Sequence, residues 1–349
     1  MKWVISHQSA LEFWRKTSTK DAFTGNNLRI LKLPATPLTT RELLTENFWN
    51  LTVPLHVLVS SDNVRKRHRY LQCHICSGEF PNGSFRRLGS GLVVSSPELC
   101  FLQMASVLSF IDLVSLGYEL CGSYRLIKEK TTGQEELNKG FRNDLALTSV
   151  AKLNSYAMKA VNLKGCKNAR RALIFIIDGS ASPMETILTM LLTLPYRFGG
   201  FGLPYPLLNF GIDIPQSASD SKSIFPVIIT ISSTGSIHKS KNVSDNKTKY
   251  YCDLYWPDKK VALEYDSDEY HTGSSRIEKD AIRRNALASA GVTVITASRR
   301  QVSDAGKLHE LAEVISKLLG KRIRNLDKEF SLKQVELLNQ LYKRVSFDM

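Results

Sequence analysis

The sequence predicts an α/β protein: a mixed sheet flanked by helices in the C-terminal half, with a separate α+β domain ahead of it. Three observations carry that expectation. Tyr251 to Trp256 and Val261 to Asp266 read as two alternating strands around the short turn Pro257-Asp-Lys-Lys260. Arg276 to Ala290 and Ser303 to Leu319 have helical apolar spacing, and each ends on a glycine, Gly291 and Gly320. Between them, Val292 to Thr296 is a short β-branched run suited to a buried strand. Strands, helix, strand, helix is the alternation of an α/β fold with a mixed sheet.

A chain of 349 residues is too long for one ordinary core. Three regions suggest themselves: an α+β domain over 1–127, a linker and helical connection over 128–168, and the α/β domain over 169–349. In the first, a helix starts within Ser9 to Trp14, and Leu55 to Ser60 reads as a strand. Ser95-Ser-Pro97 opens a further helix with proline at its first position. The polar stretch Lys128 to Gly140 supplies the boundary. A helix-rich segment then carries Ala169 to Ile177. Polar connections, Ser217 to Ser223 and Ser233 to Lys249, flank an apolar strand, Phe225 to Ile231. A last amphipathic stretch, Glu329 to Arg344, is expected to pack back on the C-terminal domain.

Composition narrows the function. With 43% hydrophobic and 23% charged residues the chain is globular rather than disordered. A net charge of +14 favours a polyanionic partner such as nucleic acid, although solubility alone also explains a basic surface. The six cysteines are scattered and mostly in apolar runs, which reads as reduced thiols in a cytoplasm. Cys73-His-Ile-Cys76 has the spacing of half a zinc site, but no second pair follows at suitable spacing. No apolar stretch approaches the roughly 18 residues that span a bilayer. The opening Met-Lys-Trp-Val-Ile-Ser runs into His and Gln, unlike a signal peptide.

The hairpin holds the chemistry. Turning at 257–260 sets Asp253 opposite Glu264. Alternation then puts Cys252, Leu254, Trp256, Val261, Leu263 and Tyr265 on one face, and Asp253, Glu264, Asp266, Tyr251, Tyr255 and Ala262 on the other. Opposed residues have Cβ atoms about 4.5–5.5 Å apart, where like charges are destabilising. A divalent cation among oxygen ligands is the simplest reason for such a face.

Around the hairpin lie Ser182-Pro-Met-Glu185, Leu203-Pro-Tyr-Pro206, His271, Asp280-Ala-Ile-Arg283 and Gly291, in that order along the chain. With Asp253 and Glu264-Tyr-Asp266 they make residues 169 to 320 resemble the restriction-endonuclease-like PD-(D/E)XK superfamily, in its very-short-patch-repair (Vsr-like) branch. That resemblance implies a restriction-endonuclease-like mixed sheet, and a cytoplasmic Mg²⁺-dependent DNA endonuclease (Mn²⁺ serving as a substitute) in repair, mobile-element biology or defence. It further implies that Asp253 and Glu264 bind the metal, with Glu185 contributing from its helix. The superfamily's usual lysine two residues after the Glu is Asp266 here, which leaves the general base open. His271 is the best substitute, since a histidine titrates near neutral pH, and Lys279 is a fallback. Ser267 stands where relatives favour glycine, and His271 lies one residue further on.

Each residue also has a plainer role. Glu185 completes a capping box with Ser182, a role compatible with metal binding. Asp253 and Glu264 read also as a solvated sheet face. Asp266 binds metal or a loop, and His271 lies in a polar run. Arg283 reads as a partner of Asp280 one turn back, while Arg284 and Lys279 are candidates for phosphate contacts. In the first domain Arg65-Lys66-Arg67-His-Arg69, beside Tyr70, is either a phosphate-tracking run or a solvated loop. Residues 54–124 faintly resemble AbiEi-type antitoxin regulators, which implies docking of DNA or a protein partner. No phosphate-cradling loop, dinucleotide fingerprint or serine elbow is present. The rival reading is a non-catalytic DNA-binding regulator, or antitoxin-like module, on a nuclease fold. Charge alone also leaves an RNA-directed nuclease open.

Overall fold

A computed structural model describes residues 3–19, 27–28, 33, 51–65, 67–89, 92–127, 140–215, 247–266, 274–324 and 327–345. Among these, the structure is mixed α/β, with two larger sheets and one short ribbon.

The first sheet is built from β1 (Trp3–Ile5), β2 (Asn27–Leu28), β3 (Leu55–Val59), β4 (Leu71–Ile75), β5 (Phe85–Gly89) and β6 (Leu92–Ser95). Its order is β2-β5-β6-β1-β3-β4, with β1 parallel to β6 and β3 parallel to β4. Helix α1 (His7–Lys16) follows β1 directly and begins two residues before the expected start. Helix α2 (Pro97–Met104) has Pro97 in its first turn, and the Ser96 hydroxyl accepts from the Leu99 N–H, as the Ser-Ser-Pro signal predicts. Helix α3 (Phe110–Cys121) leads to the ribbon of β7 (Tyr124–Leu126) and β8 (Phe141–Asn143). Arg15 on α1 forks onto Glu119 of α3 with two contacts of 2.7 Å, and Glu119 is only 1% exposed. Deleting either partner strands a buried charge, at a cost of about 3–5 kcal/mol.

Helices α4 (Val150–Lys159), α5 (Cys166–Leu173) and α6 (Pro183–Thr193) connect to the second sheet. That sheet is β12-β11-β10-β9, formed by β9 (Leu207–Pro215), β10 (Lys247–Trp256), β11 (Val261–Asp266) and β12 (Thr293–Ser298). Strand β10 is antiparallel to both neighbours, and β11 is parallel to β12. Helix α7 (Ser274–Ser289) links the parallel pair. After it, Gly291 takes φ +76°, the left-handed turn that stops the helix. Helices α8 (Arg299–Ser303), α9 (Ala305–Leu318) and α10 (Lys328–Val345) complete the described chain. The second sheet therefore has helices on both faces. Leu254, Trp256, Val261 and Leu263 pack with Leu188 and Leu191 of α6 and Leu308 of α9, while Tyr255 and Ala262 pack with Leu287 of α7.

Several expectations need correction. Lys247 to Lys249 belong to β10 rather than to a connection. Strand β9 went unread, although Leu208, Phe210, Ile212 and Ile214 alternate in it; Asn209 and Gly211 interrupt the run with turn-forming types. Within Ala169 to Ile177 the α-helix ends at Leu173. Helix α10 packs on α9 and α6 as expected, but also on α3, ahead of the boundary placed at 128–140. One hydrophobic cluster runs from Val4 to Leu341. The boundary residues 128–139 and the strand expected at Phe225 to Ile231 lie outside the described residues. No helix among the described residues is long and apolar enough to cross a membrane.

Candidate active site

The hairpin turns where alternation places it: Trp256 pairs with Val261, Tyr255 with Ala262 and Leu254 with Leu263. The ladder stops there, one step short of Asp253 and Glu264. On the other edge of β10, Cys252 faces Phe210 and Leu254 faces Leu208, while Asp253 and Asn209 between them drop out of the pairing. Asn209 has φ +46°, a left-handed conformation that asparagine tolerates better than most residues.

At this break the sheet turns over. Leu208, Leu254 and Trp256 belong to the main core, but Ile214 and Cys252 pack with Tyr255 and Ala262 beneath α7. Two corrections follow. Cys252 does not share a face with Leu254 and Trp256. Tyr255 and Ala262, expected beside the acids, are buried, with the Tyr255 ring stacked 5.6 Å from Phe210. The acids therefore occupy a break between two packed faces rather than an open sheet surface.

Three acids meet there, each from a different element. Ser182 caps α6, its hydroxyl accepting from the Glu185 N–H at 3.2 Å. Glu185 does not close the capping box. Its Oε2 accepts from the Ala181 N–H at 2.8 Å and from Asn209 Nδ2 at 2.6 Å. Asn209 also donates to Gly179 O, so the break in β9 and the start of α6 hold Glu185 together. On β10, Asp253 Oδ2 accepts from the Tyr265 N–H at 2.8 Å. On β11, both Glu264 oxygens accept from Arg283 Nη2, at 2.9 and 2.8 Å. Arg283 also donates to the Tyr251 carbonyl. The expected Arg283–Asp280 pairing is thus replaced by Arg283–Glu264, because α7 lies across the sheet end.

The electrostatics bind the three together. Burial, then the Asp253 charge, pushes Glu185 up to about 7. The same two causes raise Glu264, opposed by Arg283. Burial raises Asp253 in turn, opposed by the Tyr265 N–H and Arg283. Cys252 is pushed up to about 12 by burial and by Glu264, so it stays a thiol.

The donor set suits a hard cation in type: carboxylate oxygens, part-buried and held above their ordinary range, which a divalent ion would relieve. Two observations run the other way. Glu264 is already neutralised by Arg283, and among the described residues no group of three or more His, Cys, Asp or Glu is arranged to hold a metal ion. Asp253 and Glu185 are the pair that makes no ion pair with a cationic side chain among the described residues.

The remaining candidates are dispersed. Asp266 sits exposed at the end of β11. His271 and Ser267 lie outside the described residues, Lys279 is on α7, and Arg284 is exposed, its Nε donating to the Asp280 carbonyl. Arg65 and Arg67 are exposed between β3 and β4, Arg65 lying 3.7 Å from Asp62. Arg69 is exposed there too and stacks its guanidinium 4.5 Å over Tyr70; Lys66 lies outside the described residues.

Two features of the molecule went unread in the sequence. Asn209 has no motif around it. His7, His56 and His74 also converge, from positions too far apart for any spacing rule. In the Cys73-His-Ile-Cys76 run, His74 joins that cluster, while Cys73 and Cys76 form no disulfide among the described residues. Compared with known proteins, the chain matches no family model, no curated protein and no solved structure.

Proposed function

We propose that the chain is a metal-dependent DNA endonuclease whose site is built on Asp253, Glu185 and Glu264. One observation carries the reading: acids from α6, β10 and β11 are held part-buried at the break in the sheet, where burial and the Asp253 charge raise the proton affinity of Glu185 and Glu264. A fold tolerates such repulsion at a cost, and a cation of charge two is the simplest partner that removes it. The order of the matched segments supports the same reading. Ser182 caps a helix, Asp253 and Glu264 lie on adjacent strands, Asp280 to Arg283 lie on the following helix, and Gly291 precedes the last strand.

In this reading Asp253 and Glu185 would hold Mg²⁺, with Mn²⁺ as a substitute, and Glu264 would join them on leaving Arg283. Such an ion, when bound, would supply Lewis-acid polarisation of a phosphoryl oxygen and a lowered pKa for a bound water. Asn209 and the Ala181 N–H fix the rotamer of Glu185, and Arg283 is placed to meet a phosphate once Glu264 is released. The net charge of +14 draws the polyanion to the surface. Incubating the full chain with supercoiled plasmid and Mg²⁺ tests this. Nicking that disappears with chelator and in Asp253→Ala is the expected result; absence of nicking with both Mg²⁺ and Mn²⁺ removes the enzymatic reading.

A second reading is favoured by the Arg283–Glu264 pair, which neutralises one acid without a metal. It makes the chain a DNA-binding regulator on a nuclease-like sheet. Such a protein retains DNA equally well in chelator, and Glu264→Ala leaves its thermal response to Mg²⁺ unchanged.

A further inference from the structure

A second set of chemistry-bearing side chains lies in the first sheet, away from the acids. His7 opens α1 with φ +48°, and its N–H donates to Gln103 Oε1 on α2 at 3.0 Å. The His7 ring stacks on His74 of β4, centroids 3.5 Å apart and planes 13° from parallel. His74 Nε2 lies 2.9 Å from Nδ1 of His56 on β3. His7 Nδ1 lies 3.0 Å from the Ser6 hydroxyl, which therefore faces the ring and makes no cap bond to α1. His7 is buried, and His56 and His74 are half-buried.

The charges acting on these imidazoles are cationic. Burial, the other two rings and Lys164 hold His7 down to about 3. Burial, His56, Lys164 and Arg65 hold His74 down to about 4, and burial lowers His56. The three imidazoles are therefore held neutral; the positive charge beside them is that of Lys164 and Arg65, and each neutral ring keeps one N–H donor that an anion could accept from.

Gln103 supplies an independent sign. The His7 N–H can only donate, so the oxygen of the Gln103 amide must face it, and Nε2 must face away. That Nε2 is buried in a side chain 6% exposed, and it finds no hydrogen-bond partner among the described residues. A stranded buried donor is costly and calls for an acceptor. It lies at the N-terminus of α1, whose dipole also favours negative charge.

We infer that His7, His56, His74 and Gln103, with Lys164, form a phosphate-binding site. A metal is the poorer occupant. His74 Nε2 and His56 Nδ1 are already engaged with each other at 2.9 Å, His7 is stacked face to face on His74, and among the described residues no group of three or more His, Cys, Asp or Glu is arranged to hold a metal ion. The surroundings favour a phosphate carried by a nucleic-acid strand. Arg65, Arg67 and Arg69 lie in the connection between β3 and β4, the strands that carry His56 and His74, and Lys164, just before α5, and Lys167, in its first turn, are exposed. The site goes beyond the proposed nuclease centre, shares no residue with it, and stands whether or not that centre is active.

The experiment follows the histidine ring resonances of the full chain by NMR, in chelator so that the acidic site is silent. The probes are inorganic phosphate and a short single strand with and without a 5′-phosphate. Phosphate-bearing probes are expected to shift His56 and His74; a response confined to the strands assigns the phosphate to nucleic acid, and an equal response to inorganic phosphate assigns it to a small compound. Gln103→Glu keeps the acceptor for His7 but turns the free donor into a carboxylate. It is expected to raise the thermal midpoint, by placing an anion where one is wanted, and to weaken phosphate binding at least about tenfold. His56→Gln, at a half-buried position, is expected to weaken phosphate binding several-fold. No ring shift with any probe overturns the inference, as does phosphate affinity unchanged in both variants.

Discussion

The break between β9 and β10 and the α1–β3–β4 corner are both crowded with ionisable groups, and they are opposite in sign. At the first, burial and the Asp253 charge raise the proton affinity of Glu185 and Glu264; at the second, burial, neighbouring imidazoles and Lys164 lower that of His7 and His74. Both are buried enough for the charged forms to be costly. They differ in how the fold answers that cost. The acids have Arg283 against Glu264, a cation supplied from within the chain. The histidines simply stay neutral, and among the described residues a buried amide N–H beside them finds no acceptor. The acids are partly compensated by a cation from within the chain, whereas the histidines avoid the cost by staying uncharged.

The largest expected effect sharpens the role of the acids. Asp253→Ala removes the charge that couples the other two. If the site hydrolyses phosphodiesters, plasmid nicking should fall by on the order of 100-fold or more, as loss of a metal-ion's stabilisation of several kcal/mol requires. Retained nicking would remove any catalytic role for the acids and leave them a structural cluster like the histidines.

The pH dependence of stability comes next. The native state binds the Glu185 proton more tightly than the unfolded chain does. Its stabilisation is therefore full below the ordinary value of 4.5 and lost as pH rises to about 7. His74 runs the other way: it binds its proton less tightly when folded, so its stabilisation is full above 6.5 and lost as pH falls toward 4. The two overlap between 4.5 and 6.5 with opposing slopes. Asp253→Asn removes part of the repulsion, so the thermal midpoint should rise by the equivalent of about 1–2 kcal/mol at pH 8 and by much less at pH 4.5. Thermal melts across that range check it, and an equal shift at both values would refute the charge coupling.

Arg283→Gln is a smaller perturbation. It leaves Glu264 without its cation in a part-buried setting, so the protein should lose about 1–2 kcal/mol. If the acids also take a divalent ion, Mg²⁺ should restore more stability to this variant than to the parent, measured by thermal melts with and without chelator. The smallest effects belong to the surface. Arg67→Ala or Arg69→Ala should weaken DNA binding only several-fold and reduce the salt slope by about one each, read from binding isotherms at several salt concentrations.

Much of this was legible along the chain, in the places where local rules are strong. Ser96-Pro97 and Ser182-Pro183 open helices because a hydroxyl cap and a fixed φ act over three residues. The turn at 257–260 sets the register of Trp256 against Val261 because alternation leaves no other way to bury both. Glu185, Asp253 and Glu264 were singled out by charge and position, and they do influence one another. Arg283 was assigned to Asp280 because helical spacing is visible in a sequence while a helix crossing a sheet is not. Cys252 was placed on the wrong face because strict alternation assumes an unbroken ladder, and Asn209 breaks it.

What the amino-acid order determined by itself was local: caps, stops, the hairpin register and the strong positive charge. Those depend on residues within a turn or two of each other. Tertiary structure alone decided what the charged groups do. It turned β9 and β10 over at Asn209 and Asp253, laid α7 so that Arg283 reaches Glu264, and stacked His7 on His74 across 67 positions of chain. The reason is physical: the cost of a buried charge depends on its neighbours in space, and only the packed chain chooses them.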